Sequence, residues 1–377
     1  MYNILQFFIL VLCVSLHAQD AVMQKADSLM ALGNYSKAIE LYKTHENPTT
    51  VNQKIASAYE AIGNYNQAAQ YYQFAINNQP ENTLLNYQYG KLLSKIKKYP
   101  EAKTVFSDLV NKDPKNPNFL FELGLLYEKT NDTLTLPTFQ EVFKLDNNHQ
   151  KAIFKIARNH LVKRRHDSVS FYVDNGLKTY PENLELISLK AQNYYWLQQY
   201  ENAINWFEKL IDLGESSQQI HEMLSFAFKE NYDYDLAIKQ LEIALKYDPK
   251  NADNLFRVGQ YYHKLSDNEN AEKYMNAALL LMDQPLDKEY RELAVVYNFQ
   301  KKYAEAIQVL NKSIKENPDN EYTHFILAYT KETYYADLQS KIEVYNKYLE
   351  KFPNGQFKPM VERRMADLKK EQFLEEN

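Results

Sequence analysis

The residues that come nearest to a chemical signature are His221-Glu222, which open the His-Glu-x-x-His pattern: two imidazoles one helical turn apart hold zinc, and the carboxylate activates water. Ser225 stands where the second histidine belongs, so the ligand set is incomplete. The other histidines are scattered, and His160 and His166 do not share a helical face. No Gly-x-Ser-x-Gly elbow occurs to activate a serine, and the eight glycines lie too far apart to cradle a phosphate. Thiol chemistry is confined to the single cysteine, Cys13. A formal charge of −5 with both signs interspersed gives no basic field for a nucleic acid. Lys163-Arg164-Arg165-His166 is the densest basic run, and it reads as a solvated turn, with an acidic patch on a partner as the sharper alternative. No catalytic residue, metal or cofactor is expected, which leaves recognition of a partner as the chemistry to look for.

The elements that would present such residues announce themselves by repetition. Tyr-x-x-Ala recurs at Tyr35/Ala38, Tyr65/Ala68, Tyr99/Ala102, Tyr200/Ala203, Tyr234/Ala237 and Tyr303/Ala306. Four residues beyond each alanine stands a large apolar side chain, Tyr42, Tyr72, Phe106, Phe207, Leu241 and Leu310, which places the two on one helical face. Pro80, Pro114, Pro181, Pro249 and Pro318 are each followed two residues later by asparagine, and Pro80 to Pro114 is a step of 34 residues. Proline disfavours helix in the residue before it and asparagine caps the helix after it, so this punctuation separates pairs of helices.

A helix-turn-helix unit of this length and pattern resembles the tetratricopeptide repeat, over most of the chain from about Gln19 to Asn354. The family's small residue of the first helix is matched by Ala26, Ala56, Gly90, Gly124, Ala157, Ala191, Ser225, Gly259, Ala294 and Ala328. The resemblance implies an all-α fold, a right-handed α-α superhelix of about ten helix-turn-helix repeats. The array is read as residues 19–354, with residues 355–377 as a C-terminal capping helix in which Met360, Met365 and Leu368 cover the end of the stack. The fourth unit departs from the pattern. It has Thr135 in place of alanine, is a residue short and carries Pro137 early in its second helix, which predicts an opened joint; the tenth reads as carrying an insertion around Tyr334 to Lys341.

Residues 1–18 lack charge, and Ile4 to Leu16 are apolar apart from Gln6 and Ser15, which predicts a cleavable secretory signal ending at Ala18. The run is too short for a membrane span, and Leu12 before Cys13 disfavours a lipid anchor. The expected location is secreted, periplasmic or at the cell envelope, in a peripheral membrane or envelope complex.

In proteins of the resembled family the first helices line a concave surface that takes extended or helical peptides. Carried onto this register, the inward positions are Tyr87 and Lys91, Phe121 and Leu125, Phe154 and Arg158, Gln192 and Tyr195, Phe256 and Gln260, and Phe325 and Tyr329. Recurrent aromatics with arginine suit capture of a protein, and Phe121, Phe154 and Arg158 are expected to form its hot spot. The expected function is therefore a non-catalytic scaffold for a protein or peptide partner. An accessory subunit that binds polysaccharide or peptidoglycan for a catalytic partner is the alternative, suggested by Tyr194, Tyr195 and Trp196, whose rings can stack on sugars.

Overall fold

Asparagine after proline does cap the following helix at all five positions. Oδ1 of Asn82, Asn116, Asn183, Asn251 and Asn320 each accepts from a backbone N–H two or three residues ahead, at 3.0–3.2 Å. In the computed structural model, which describes residues 21–45, 47–282 and 286–376, the result is helical throughout, with no strand among the described residues. The expected signal over residues 1–18 lies outside them.

The chain divides at Leu189 and Lys190 into two compact units. The first holds the pairs α1 (21–31) and α2 (Tyr35–Lys43), α3 (Pro48–Ala61) and α4 (Tyr65–Asn78), α5 (Thr83–Lys95) and α6 (Tyr99–Lys112), α7 (Pro117–Lys129) and α8 (Thr135–Leu145), and α9 (Gln150–Val162) and α10 (His166–Thr179). Helix α11 (Leu184–Trp196) spans the division and precedes α12 (Tyr200–Asp212). The second unit continues with α13 (Gln218–Glu230) and α14 (Tyr234–Tyr247), α15 (Ala252–Lys264) and α16 (Asn268–Leu279), α17 (Asp287–Phe299) and α18 (Tyr303–Glu316), and α19 (Glu321–Tyr334) and α20 (Leu338–Lys351), followed by α21 (Lys358–Glu376).

The turn inside a pair is closed the same way nine times. One residue adopts positive φ, at Gly33, Gly63, Lys97, Asn131, Arg164, Gln198, Tyr232, Ser266 and Lys301. The next residue's N–H then reaches back five positions, as from Lys98 to Leu93 O at 2.9 Å and from Asp233 to Phe228 O at 2.9 Å. The basic run at Lys163 to His166 is one of these turns, with Arg164 at φ 55°. The tenth pair lacks the device: Tyr335 is extended at φ −77°.

Small residues are where backbones approach. A methyl added to Gly124 would lie 2.7 Å from Phe139, and one added to Gly259 would lie 2.7 Å from Met275. The large residues paired with the second-helix alanines, Tyr42, Tyr72, Phe106, Phe207, Leu241 and Leu310, are all 0–2% exposed and form the seam between helices. At roughly 1.5–3 kcal/mol per buried large side chain, this seam is the main source of stability, and a lone pair would have too little of it.

In the second unit α21 packs against α19 and α20 through Val361 and Leu368, both 0% exposed, with Met365 beside them; Met360 points to solvent at 59% exposure. Two carboxylates of α19 fasten it. Arg364 Nε donates to Glu332 Oε1 at 2.7 Å, and the Tyr345 hydroxyl donates to Glu332 Oε2. Glu321 Oε1 accepts from the Tyr348 hydroxyl at 2.5 Å and from the Phe357 N–H at 3.1 Å.

Candidate partner-binding face

Successive first helices are joined by polar contacts between one pair and the next. In the first unit Gln53 donates to Gln88 at 2.9 Å, Tyr87 to Glu122 at 3.1 Å, Lys95 to Glu60 at 3.2 Å and Lys155 to Glu128 at 2.6 Å. In the second, Asn254 donates to Glu222 at 2.7 Å, Gln260 to Glu292 at 2.6 Å and Asn298 to Thr330 at 2.9 Å. The face is thus a ladder of partly exposed hydrogen bonds and ion pairs, each worth little alone. Reading single aromatic positions misses the ladder. Its signal in the sequence is a polar residue recurring 32 to 35 residues after another, as Glu122 follows Tyr87, with a shorter step of 27 from Glu128 to Lys155 across the short fourth pair.

The twelve expected positions do not share one environment. Phe121 and Phe256 are core residues at 7% and 5% exposure, which corrects the expectation that they offer a ring to a partner. Phe121 is clasped by Phe139 at 5.5 Å and His149 at 4.7 Å, with Leu125 half-buried in the same cluster, because the neighbouring helices close over that position. Phe325 stacks on Phe357 at 4.6 Å. Tyr87 lies edge-on to Phe106, with Lys91 5.6 Å from its ring, and burial together with Glu122 pushes its hydroxyl up to about 12. Tyr195 sits among Trp196, Tyr200 and Phe226 at 5.1–6.1 Å. Phe154 and Gln192 are half-buried. Arg158 and Tyr329 are exposed, Tyr329 at 58%.

The face carries a cavity in each unit, and each is lined by an expected residue. In the first unit about 270 Å³ opens between α8 and α9, lined by Glu128, Leu136, Phe139, Lys155, Arg158 and Val162. It lies where the fourth pair is short: α8 has 11 residues, against 14 in α6 and α10. Beside this cavity the buried Asn159 Oδ1 has no donor among the described residues. In the second unit about 350 Å³ is bounded by Lys229, Tyr234, Gln260, Tyr261, Met275 and Val295. Both cavities combine apolar walls with a few polar groups, the composition of a pocket for a side chain.

The histidine that opened the sequence reading is buried at 3% exposure; Ser216 Oγ lies 2.8 Å from its Nε2, and Gln240 Oε1 2.7 Å from its Nδ1. It joins the packing of α13 on α14. No group of three metal-ligating side chains occurs among the described residues, and no helix among them is long and apolar enough to cross a membrane.

Comparison with known proteins agrees with this architecture. Profiles of the tetratricopeptide repeat match residues 59–120, 227–288 and 290–320. The DnaJ homolog subfamily C member 7 homolog of Dictyostelium discoideum is 21% identical over 258 residues, covering 63% of this chain and 48% of that protein. The TPR repeat-containing protein YpiA of Bacillus subtilis is 22% identical over 239 residues, covering 61% of this chain and 56% of its own. The chain thus spans about half the length of these relatives. The crystal structure of the C-terminal part of a TPR repeat-containing protein from Cytophaga hutchinsonii superposes with a TM-score of 0.50 at 16% identity, over 63% of this chain and 97% of that one. With ten helix pairs, nine of them closed by a left-handed turn, and with repeat profiles matching three stretches, the chain belongs to the tetratricopeptide-repeat proteins.

Proposed function

We propose that the chain is a non-catalytic scaffold that holds a peptide segment of a protein partner on its first-helix face, outside the cytoplasm at a bacterial envelope. The observation that carries the reading is the half-apolar cavity that each unit carries on that face, one lined by the exposed Arg158, whose guanidinium has no ion-pair partner among the described residues, and one by Gln260. An extended or helical segment places a side chain every few ångströms, so a pocket edged by exposed Arg158, or one edged by Gln260, suits a side chain of such a ligand. The envelope setting is supported by the uncharged, apolar residues 1–18.

Photocrosslinkers placed at Arg158 and at Tyr329, with a control at Phe171, which is 62% exposed on the second helix α10, test the face. Adducts with one polypeptide from the first two positions support it, and adducts of equal yield from Phe171 contradict it. Mass spectrometry of the chain purified from its native cell tests the location, with Gln19 expected as the first residue. The glycan alternative rests on Trp196, 45% exposed beside Tyr195, and retention on peptidoglycan would support it against the protein reading.

A further inference from the structure

The insertion that spoils the tenth repeat also makes a cavity, and this one lies inside the helix pair. The turn Tyr335 to Asp337 lacks the left-handed residue that closes the other nine, and α19 and α20 border about 410 Å³ of space. Its wall is basic: Lys331, Lys347, Lys351 and His324 face a single carboxylate, Glu343, with Tyr335 and Ser340 adding hydroxyls.

Partners account for part of that charge. Lys347 pairs with Glu343 at 2.9 Å, and Lys351 donates to Pro318 O at 2.5 Å and lies 3.1 Å from His324 Nε2. Lys331 is different. It is half-buried, and its ammonium makes no hydrogen bond or ion pair among the described residues. Burial, and then the Lys347 ammonium, hold it below the ordinary lysine range. Burial also lowers His324, whose Nε2 lies 2.8 Å from Pro318 O. An ammonium partly removed from water next to a second one is unfavourable by itself, and an anion between them reverses the sign of the interaction.

We propose that the cleft between α19 and α20 is an oxyanion site for a phosphate group, with Lys331 as its principal ligand and Lys347 and Lys351 flanking it. Three ammoniums against one carboxylate leave two positive charges, which a phosphate dianion offsets and a single carboxylate does not. The space is ample for phosphate and a small organic group attached to it, and the hydroxyls of Tyr335 and Ser340 line it as further donors.

Inorganic phosphate titrated into the full chain, followed by melting temperature at ionic strength matched with sodium chloride, is the test. A saturable rise is expected, with acetate giving none. The variant Lys331→Met removes the ligand without emptying the site. It should fold at least as stably without phosphate, since its apolar tip replaces an unpaired ammonium, and bind phosphate about tenfold more weakly or worse. Lys288→Met, an exposed lysine elsewhere in the unit, should respond as the parent does. No rise in the parent, or an equal rise in Lys331→Met, overturns the site. Vesicles of phosphatidylcholine with and without phosphatidate separate the two sources of the group: capture by phosphatidate that Lys331→Met abolishes assigns it to a lipid, and phosphate binding without capture assigns it to a soluble phosphate ester.

Discussion

The fourth and tenth helix pairs both break the repeat, in opposite ways. The fourth lost residues from its second helix, kept its left-handed turn at Asn131, and opened a gap towards the following pair that strands Asn159 Oδ1. The tenth gained residues in its turn, lost the left-handed closure, and parted its own two helices. The tenth is also tied down from outside, by Glu321 and Glu332 holding the segment around α21, whereas the contacts that tie the fourth to its neighbours, Tyr87–Glu122, Lys103–Asp132 and Lys155–Glu128, lie partly in solvent. Loss in a helix exposes the seam between pairs, while gain in a turn exposes the seam within one, and only the second kind here has acquired a buried polar fastening.

The largest effect that would break this contrast is at Glu332. Glu332→Ala leaves the Tyr345 hydroxyl unpaired and Arg364 with only Glu371 at 3.5 Å, and should cost about 3 kcal/mol, with amide exchange in α21 accelerating first. Glu128→Ala, the matching change in the fourth pair, should cost at most about 1 kcal/mol, because Lys155 and Glu128 are 21% and 36% exposed; equal costs would erase the distinction.

Next in size is Gly124→Ala, whose new methyl would press on Phe139 at 2.7 Å in the seam that α8 covers only in part. A loss of about 1–3 kcal/mol in denaturant unfolding is expected, and a silent change would mean that the short helix leaves room to shift.

Acid separates the two pairs as well. Hydrogen bonds from Tyr348 and then from the Phe357 and Gln356 backbone hold Glu321 below its ordinary 4.5. Its folded value is the lower one, so its contribution is fully present above pH 4.5 and fades as pH falls through that lower value. Exchange monitored between pH 5 and pH 3 should show residues 353–376 loosening, while α7 to α9 keep their protection at this step.

The smallest effect sharpens the turn comparison. Asn131→Gly removes a side chain from a position at φ 52° and should gain a few tenths of a kcal/mol, up to about 1 kcal/mol. Tyr335→Gly, at φ −77°, should lose about 0.5–1 kcal/mol through chain entropy alone.

Much of the scaffold was legible because its causes are local. Asparagine after proline must cap or go unused, and a small residue recurring at one helical position marks a close approach, as Gly124 and Gly259 do. The irregular fourth and tenth pairs were visible as errors in spacing. What escaped was set by neighbours. Phe121 and Phe256 carry the same periodic label as Arg158, yet the helices beside them close over the first two and leave the third in solvent. Seven turn residues, among them Lys97 and Tyr232, take a glycine-like conformation with no mark in their chemistry, since the backbone hydrogen bond that follows them is enforced by the packing of both helices.

Those turns have a practical corollary. Closure uses main-chain atoms and one sign of φ and asks nothing of the side chain, and Tyr232 stands 78% in solvent. Fluorophores or affinity tags attached at Tyr232 and at the other exposed turn residues would report on nine of the ten pairs while leaving the first-helix face proposed for a partner untouched.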